Sequence, residues 1–206
     1  MNKLMIVLAA AVAAPVFAPA TAQAADTKVG AGLSVGTMVI PGKYPLKFPN
    51  EVSKNDDTTI GDVKGDVHLG FEGVYYMNES NRVGASGSLG FGSDHFDRSF
   101  LLKYGHLINF DAADFVFGGG AGVGKTTFSG DSDEQLESPY YPLRAEFGPV
   151  FRQDFLAEQV LLYTQYNITY DNTYTSADGD TSKAGVGVFW TVIGAELQVM
   201  FGNFSD

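Results

Sequence analysis

The sequence predicts an all-β protein, an antiparallel up-and-down transmembrane β-barrel of about eight strands. Three observations support this prediction. Apolar and polar residues alternate along about eight segments. The polar positions of these segments are rich in glycine and serine, and the connections between segments alternate between short and longer ones. The chain also combines 25 glycines with 13% aromatic residues, a composition that is unusual for helices and natural in a barrel.

The N-terminus predicts export. Lys3 precedes a short apolar run, and Ala22-Gln23-Ala24 has the small-x-small form that signal peptidase cleaves. The alternative, an N-terminal transmembrane helix, is disfavoured because two prolines interrupt the run and leave it short of the ~20 apolar residues of a span. We therefore expect a cleaved signal peptide over 1–24 and a barrel domain over 25–206.

Period-two alternation defines the predicted strands, which we list in chain order. They are Lys28–Ile40, Asp62–Met77, Arg82–Gly92, Ser99–Phe110, Phe115–Phe128, Tyr140–Phe151, Gln159–Tyr170 and Lys183–Phe201. The first sets valines and leucines against glycines and serine. The second is the clearest, because its charged residues fall at even positions and its apolar ones at odd positions. The third and fourth repeat the alternation with arginine, lysine, glycine and serine on their polar face.

The last four strands follow the same logic. The fifth carries a run of glycines on one face, the sixth places an arginine and a glutamate on its polar face, and the seventh is rich in tyrosine and glutamine. In the eighth, the apolar positions change from Val188, Trp190 and Val192 to Leu197 and Val199. A β-bulge near 193–194 would explain this change, and two short strands are the alternative.

Connection lengths predict the two ends of the barrel. The connections after the odd-numbered strands cover 41–61, 93–98, 129–139 and 171–182, whereas those after the even-numbered strands cover 78–81, 111–114 and 152–158. Transmembrane barrels have short turns at the periplasmic end and longer loops outside. We therefore place the first set outside and the second in the periplasm.

Alternation alone does not decide which face points inward, since a soluble lipocalin-like barrel also alternates. Glycine brings nothing to a solvent-exposed strand, but a narrow barrel has room for only a few large side chains inside. The glycine-rich polar face therefore favours a polar lumen and a lipid-facing apolar surface. Aromatic residues near strand ends fit interfacial girdles: Tyr75, Tyr76, Phe110, Phe115, Tyr140, Tyr141 and Tyr174.

In pattern and length, the chain resembles the small eight-stranded outer-membrane proteins of the OmpA-barrel, OmpX and OmpW type. The resemblance implies a location in the bacterial outer membrane and a monomeric barrel. It also implies contacts with outer-membrane lipids, lipopolysaccharide and the barrel-assembly machinery. Such proteins usually end on an aromatic residue read by that machinery. This chain ends LQVMFGNFSD, so Phe201 or Phe204 would have to serve.

Composition argues against several other functions. A formal net charge of −11 is unsuited to nucleic-acid binding, which needs a basic surface, and without cysteine neither a disulfide nor a thiolate site is available. The acidic clusters at 55–57, 131–134 and 178–180 could attract calcium, but none forms a full EF-hand loop. We interpret them as solvated outer loops, and we expect neither a metal site nor a cofactor.

One motif invites a nucleotide-binding interpretation. Gly119, Gly124, Lys125 and Thr126 match the Walker A pattern, which requires a helix to begin at the lysine. The residues that follow are polar and interrupted by glycine and proline, so they are a poor helix. Gly118, Gly120, Gly122 and Gly124 also fall on one strand face, and we therefore expect a strand and no nucleotide binding.

Charged residues at polar positions of the strands predict a lumen network. Both signs are present, and each charge needs a partner because the lumen is narrow and poorly solvated. The predicted members are Asp62, Lys64, Asp66, His68, Glu72, Arg82, Lys103, Arg144, Glu146 and Glu196. His68 beside acidic residues also resembles an acid/base group, with Ser86 or Ser88 as candidate nucleophiles, but we expect no catalytic residues.

Four functions follow from these observations. The first is a structural or interaction barrel that has a charge-paired, largely plugged lumen and presents acidic extracellular loops. The second is a narrow, porin-like channel for small solutes, for which eight strands are the lower limit. The third is an outer-membrane hydrolase or acyltransferase, and the fourth a soluble lipocalin-like binder.

Overall fold

The structure, a computed structural model, describes residues 28–39, 66–92, 95–110, 113–129, 134–183 and 189–204. The predicted signal peptide lies outside these residues. The strands are β1 Val29–Val39, β2 Asp66–Asn78, β3 Asn81–Phe91, β4 His95–Asn109, β5 Asp114–Ser129, β6 Gln135–Arg152, β7 Leu156–Thr169, β8 Thr173–Thr175, β9 Thr181–Lys183 and β10 Phe189–Gly202. Among the described residues, no helix is long and apolar enough to cross a membrane.

Eight of these strands close into an antiparallel barrel, which confirms the predicted fold. Strands β1 to β7 pair in chain order, β7 pairs with β10, and β10 returns to β1. The closing ladder runs from Gly30 opposite Gly202 to Val39 opposite Ile193 without a shift in register. A closed barrel has no free sheet edge, so the backbone groups of each strand find partners on both sides.

The predicted alternation of short turns and longer loops is confirmed only in part, because the outer connection between β3 and β4 is as short as the periplasmic turns. The two-residue turn after β2 and the short connections after β4 and β6 lie at one end, beside the start of β1. Two predicted outer loops are shorter than expected, because β4 begins at His95 and β6 begins at Gln135. We call the end with the short turns the periplasmic end and the opposite end the outer end.

The predicted loop 171–182 contains two short strands. Strand β8 pairs with Gln135–Glu137 at the outer end of β6, and β9 pairs with β8. The ladder continues beyond the eight-stranded wall because β-branched residues, which favour strands, flank the tight turn at 176–180. This hairpin extends the barrel wall on the side of β6.

The prediction of a bulge near 193–194 is wrong. Strand β10 pairs with β7 from Phe189 opposite Ile168 to Phe201 opposite Leu156 without interruption. The apolar pattern changes because Val192 is an apolar residue of the lumen, where it is fully buried. The predicted eighth strand therefore divides differently, since 181–183 form β9 and 184–188 lie outside the described residues.

The two faces of the wall have opposite chemistry. The side chains of Phe71, Leu102 and Phe110 point outward and are 60%, 64% and 64% exposed, whereas Glu72 and Lys103 are buried in the lumen. A soluble lipocalin-like barrel has the reverse arrangement. The outward face is thus that of a transmembrane barrel, as the glycine-rich polar positions predicted.

Only some of the aromatic residues predicted for the interfacial girdles lie on the outward face of the wall. Tyr75, Tyr141 and Phe110 are exposed on the outward face of the wall. Tyr76, Tyr140 and Tyr174, in contrast, are buried inside. Adjacent residues of a strand point to opposite faces, so proximity to a strand end does not decide whether an aromatic ring reaches the lipid.

Close packing explains why one position that faces the lumen is a glycine. A Cβ atom at Gly194 would lie 2.2 Å from the ring of Tyr163, whereas one at the outward-facing Gly73 would meet nothing within 4 Å. Large lumen side chains such as Tyr163 therefore lie over glycines of the neighbouring strand. This alternation of small and large residues fills the narrow interior.

Candidate functional site

A layer of charged side chains crosses the middle of the lumen. Strands β2, β3, β4, β6 and β10 supply it, each through residues at the polar positions of its alternation. Within the described part of the chain, the layer holds three carboxylates, Glu72, Glu146 and Glu196, and three permanent cations, listed here: Arg82, Lys103 and Arg144. The formal charges of the layer therefore balance when histidine is neutral.

Lys103 connects two carboxylates from different strands. Its Nζ lies 2.6 Å from Glu72 Oε2 and 2.9 Å from Glu146 Oε1. All three side chains are almost completely buried. Lys103 thus joins β2, β4 and β6 across the lumen. Its ammonium group neutralises part of the charge of both carboxylates, which are buried away from water and counterions.

Arg144 forms the second bridge. Its Nη2 donates to Glu196 Oε2 at 2.5 Å, and its Nε lies 3.0 Å from Glu146 Oε2. The guanidinium also lies over the ring of Tyr163, 3.7 Å from its centroid. Glu146 is therefore shared by Lys103 and Arg144, which makes one continuous network of the two bridges.

Amides extend the network toward the periplasmic end. Arg82 Nη1 donates to Gln159 Oε1 at 2.9 Å, and Gln159 in turn donates to Gln198. Gln198 Nε2 lies within hydrogen-bond distance of both Glu72 Oε2, at 3.0 Å, and Glu196 Oε1, at 2.6 Å. The amides link the arginine to the carboxylates, and among the described residues the side-chain hydrogen bond of Arg82 goes to Gln159.

The structure brings most of the ten predicted lumen residues together. His68 joins the layer through Glu196, whose Oε2 lies 3.5 Å from His68 Nε2. Asp62 and Lys64 lie outside the described residues. Asp66 is buried, but it belongs to a separate cluster nearer the outer end.

This outer cluster contains residues that the sequence analysis missed. Asp66 pairs with His95, and Asp97 accepts hydrogen bonds from Tyr140 Oη at 2.8 Å and Thr126 Oγ1 at 2.6 Å. Residues 95 and 97 had been placed in a predicted loop. The signal was present, because the lumen positions of β4, Ser99 and Lys103, continue backward with period two to Asp97 and His95.

An apolar cap closes the periplasmic end below the charged layer. It is a single cluster of buried side chains from six strands and the residues after β10: Val74, Tyr76, Leu107, Val116, Val150, Ala157, Leu161, Met200 and Phe204. The rings of Tyr76 and Phe204 meet edge to face with centroids 5.9 Å apart. Phe201 and Phe204 were the two aromatic residues that the assembly machinery could recognise. Phe204 is part of the cap, whereas Phe201 lies on the outward-facing side of β10.

Neither of the two serines predicted as candidate nucleophiles forms a hydrogen bond with His68. Ser88 Oγ hydrogen-bonds Ser99 Oγ at 2.8 Å. Ser86 lies opposite Glu72 and not opposite His68 in the β2–β3 ladder, an offset of roughly 13 Å at ~3.3 Å per residue. Over the described ranges, no group of three or more His, Asp and Glu side chains could hold a metal ion.

The Walker A match lies within β5, which continues through Lys125 to Ser129. The helix that a phosphate-binding loop requires is therefore replaced by strand. The side chain of Lys125 lies on the outward face of the wall, where its Nζ is 2.6 Å from Glu137 Oε1. The two glycines of the match lie close to β6: a Cβ atom at Gly119 would meet the carbonyl oxygen of Arg144, and one at Gly124 the ring of Tyr140.

Comparisons with known proteins agree with this architecture. No family model matches the sequence, and no curated protein matches it. The structure is similar to the outer membrane protein OprG from Pseudomonas aeruginosa, with 13% identity and a TM-score of 0.52 over 87% of this chain and 97% of OprG. This likeness shows the fold alone, and it confirms the predicted resemblance to small outer-membrane barrels at that level.

Two further solved structures match with lower scores. The outer membrane protease OmpT from Escherichia coli is 7% identical with a TM-score of 0.44, over 91% of this chain and 100% of OmpT. AlkL, an outer membrane protein solved in lipid bilayers, is 12% identical with a TM-score of 0.43, over 91% of this chain and 96% of AlkL.

Proposed function

We propose that the chain is exported and inserted into the bacterial outer membrane, where it acts as a structural or interaction barrel with a closed lumen. Its mechanical role is to hold a rigid wall in the membrane and to present the outer loops. In this proposal the protein is not an enzyme and acts without a cofactor. The barrel is expected to be monomeric and to contact lipids, lipopolysaccharide and the assembly machinery.

The single observation that supports this proposal most is the presence of two barriers in series along the lumen. The charged layer crosses the middle, with Lys103 and Arg144 bridging carboxylates of three strands. The apolar cap lies toward the periplasmic end, and several of its members, among them Val116 and Val150, are fully buried. A solute would have to separate buried ion pairs and then an apolar cluster, and both steps are costly.

The outer end supports the role of loop presentation. Residues 177–180, which include one predicted acidic cluster, are exposed at the tip of the β8–β9 hairpin. Asp171 at its base has a positive φ of 50° and forms an ion pair with Lys183. The hairpin extends beyond the barrel wall and carries acidic side chains into the solvent, a geometry suited to contact with an external partner.

The location is tested by fractionation of the producing cell. We expect the mature protein in the outer-membrane fraction, migrating faster on gels before boiling than after it, because a closed barrel resists unfolding by detergent. Extraction with urea serves as the control, since it removes peripheral proteins and leaves inserted barrels. Recovery of the unheated protein from the soluble periplasm would contradict the proposal.

The closed lumen is tested by planar-bilayer recording of the wild-type protein. We expect rare openings or none, because both barriers must rearrange before water forms a continuous path. A porin refolded by the same procedure is the positive control for insertion. Steady conductance of defined size from the wild type would assign the chain to the second function, a narrow channel for small solutes.

A further inference from the structure

Two basic side chains stand side by side on the outward face of the wall. Arg98 on β4 lies directly opposite Lys125 on β5 in the antiparallel ladder. Both side chains lie on the lipid-facing phase of their strands, Arg98 exposed and Lys125 partly so. An apolar surface is an unusual place for two adjacent cations, since each disfavours contact with hydrocarbon.

Their height along the wall explains how they are tolerated. Ile108 and Phe115, which face each other near the periplasmic end, are each about ten residues from Arg98 and Lys125. Because tilted strands gain about 2.5 Å of height per residue, the separation is about 25 Å, the height of the apolar band of such barrels. The two cations therefore lie at the outer boundary of the hydrocarbon, where lipid phosphates are found.

An apolar groove on the same wall crosses strands β2 to β5, and the two cations lie on one of its sides. It has a volume of about 720 Å³, and both Arg98 and Lys125 contribute to its rim. Its apolar lining includes Leu69, Phe71, Leu89, Phe100 and Val123.

Gly87 shapes the groove. A Cβ atom at this position would lie 2.4 Å from the tip of the Phe71 ring, so the absence of a side chain lets this ring lie against the wall. Phe71 remains 60% exposed, which leaves one face of the ring open to a ligand. The groove is thus mainly apolar, with the two basic side chains on one of its sides.

The charged side chains beside the groove indicate which class of ligand it binds. Lys125 Nζ lies 2.6 Å from Glu137 Oε1, and both side chains are partly exposed. Arg98 forms no ion pair with any residue that the structure describes. One acidic and two basic side chains leave a net positive charge, and the planar guanidinium of Arg98 suits bidentate contact with a phosphate.

We propose that this groove binds a phosphorylated, multiply acylated glycolipid of the outer leaflet, the lipid A portion of lipopolysaccharide. Arg98 and Lys125 contact its phosphates, and one acyl chain lies along the apolar groove. The inference rests on the proposed outer-membrane orientation, because only the outer leaflet carries this lipid at the level of the basic pair. It goes beyond the proposed function by assigning a lipid site to the outside of the wall.

The test measures lipid retention by native mass spectrometry of the refolded barrel from mixed micelles. The micelles contain bisphosphorylated lipid A, chemically dephosphorylated lipid A or phosphatidylglycerol, each at equal concentration. The variants are Arg98→Gln, Lys125→Gln and Glu137→Gln. Lys183→Gln is the matched control, since it removes the same charge from an exposed lysine on β9 that does not line the groove.

We expect the wild type to retain bisphosphorylated lipid A at least tenfold better than the dephosphorylated form, a difference of one charge-assisted contact or more. Arg98→Gln should lose about tenfold in affinity, and Lys125→Gln more, because it leaves the Glu137 carboxylate facing the phosphate. Glu137→Gln should bind more tightly, and Lys183→Gln should equal the wild type.

Three results would overturn the proposal. These are wild-type retention by Arg98→Gln and Lys125→Gln, equal retention of dephosphorylated lipid A, and equal retention of phosphatidylglycerol, which would indicate a general preference for anionic lipids. Retention is measured independently of conductance. A barrel that conducts steadily but retains lipid A would contradict the closed lumen alone, whereas a closed barrel without lipid preference would contradict the lipid site alone.

Discussion

Replacing Arg144 with alanine is expected to lower the free energy of unfolding by about 3–5 kcal/mol, the range found when one partner of a buried ion pair is removed. Arg144 contacts two carboxylates, Glu146 and Glu196, and all three side chains are buried. In the variant, Glu196 keeps only the amide of Gln198 and the more distant imidazole of His68. The loss therefore comes mostly from a carboxylate left in the lumen without its cation.

Urea titration of the barrel refolded into lipid vesicles, followed by the change in gel mobility, measures this loss. Lys183→Ala is the control, because an exposed ion pair contributes about 0–1 kcal/mol. The double variant Arg144→Ala with Glu196→Gln should recover part of the stability, since the unpaired charge is gone. A change below about 1 kcal/mol for Arg144→Ala would show that the layer is solvated, against our interpretation.

Opening a conducting path is expected to require changes in both barriers. Arg144→Ala alone should remain silent in planar bilayers, because the apolar cap below the charged layer stays intact. Tyr76→Ala with Phe204→Ala removes the two rings that meet edge to face in the cap, but leaves the charged layer closed. The triple variant should show small, resolved conductance steps, since the two constrictions act in series.

The recording distinguishes the two barriers. Each variant must first show the gel-mobility change of a folded barrel, so that a silent record reflects a closed lumen. Steady conductance from Arg144→Ala alone would show that the cap does not seal the periplasmic end. A silent triple variant would show that other lumen residues, such as the cluster of Asp97, Thr126 and Tyr140 near the outer end, provide a third barrier.

Much of the candidate site follows from the alternation in the sequence. A side chain on a strand points to the face opposite that of its neighbours, so charges at polar positions, such as Glu72 on β2 and Lys103 on β4, must share the lumen. The alternation does not say which of them meet. That choice depends on register between strands distant in sequence, for example Gln198 and Glu72, which are 126 residues apart.

Two errors have the same physical origin. The change of apolar positions in the last strand was interpreted as a bulge, but Val192 is simply an apolar residue facing the lumen. Likewise, Tyr76 was assigned to the lipid interface, although its ring belongs to the cap. An apolar side chain can be buried in lipid or inside the protein, and hydrophobicity alone does not distinguish these two environments.

The sequence by itself determined most of the strands and the polar lumen, because strand periodicity and glycine content are local properties of the chain. The tertiary structure decided the rest. Closure of β1 against β10 encloses the lumen and brings Lys103 between two glutamates of other strands, and the register of the β4–β5 hairpin sets Arg98 beside Lys125. Period-two alternation tells which face of a strand a side chain points to, but it carries no information about the register between strands or about which strands face each other across the lumen.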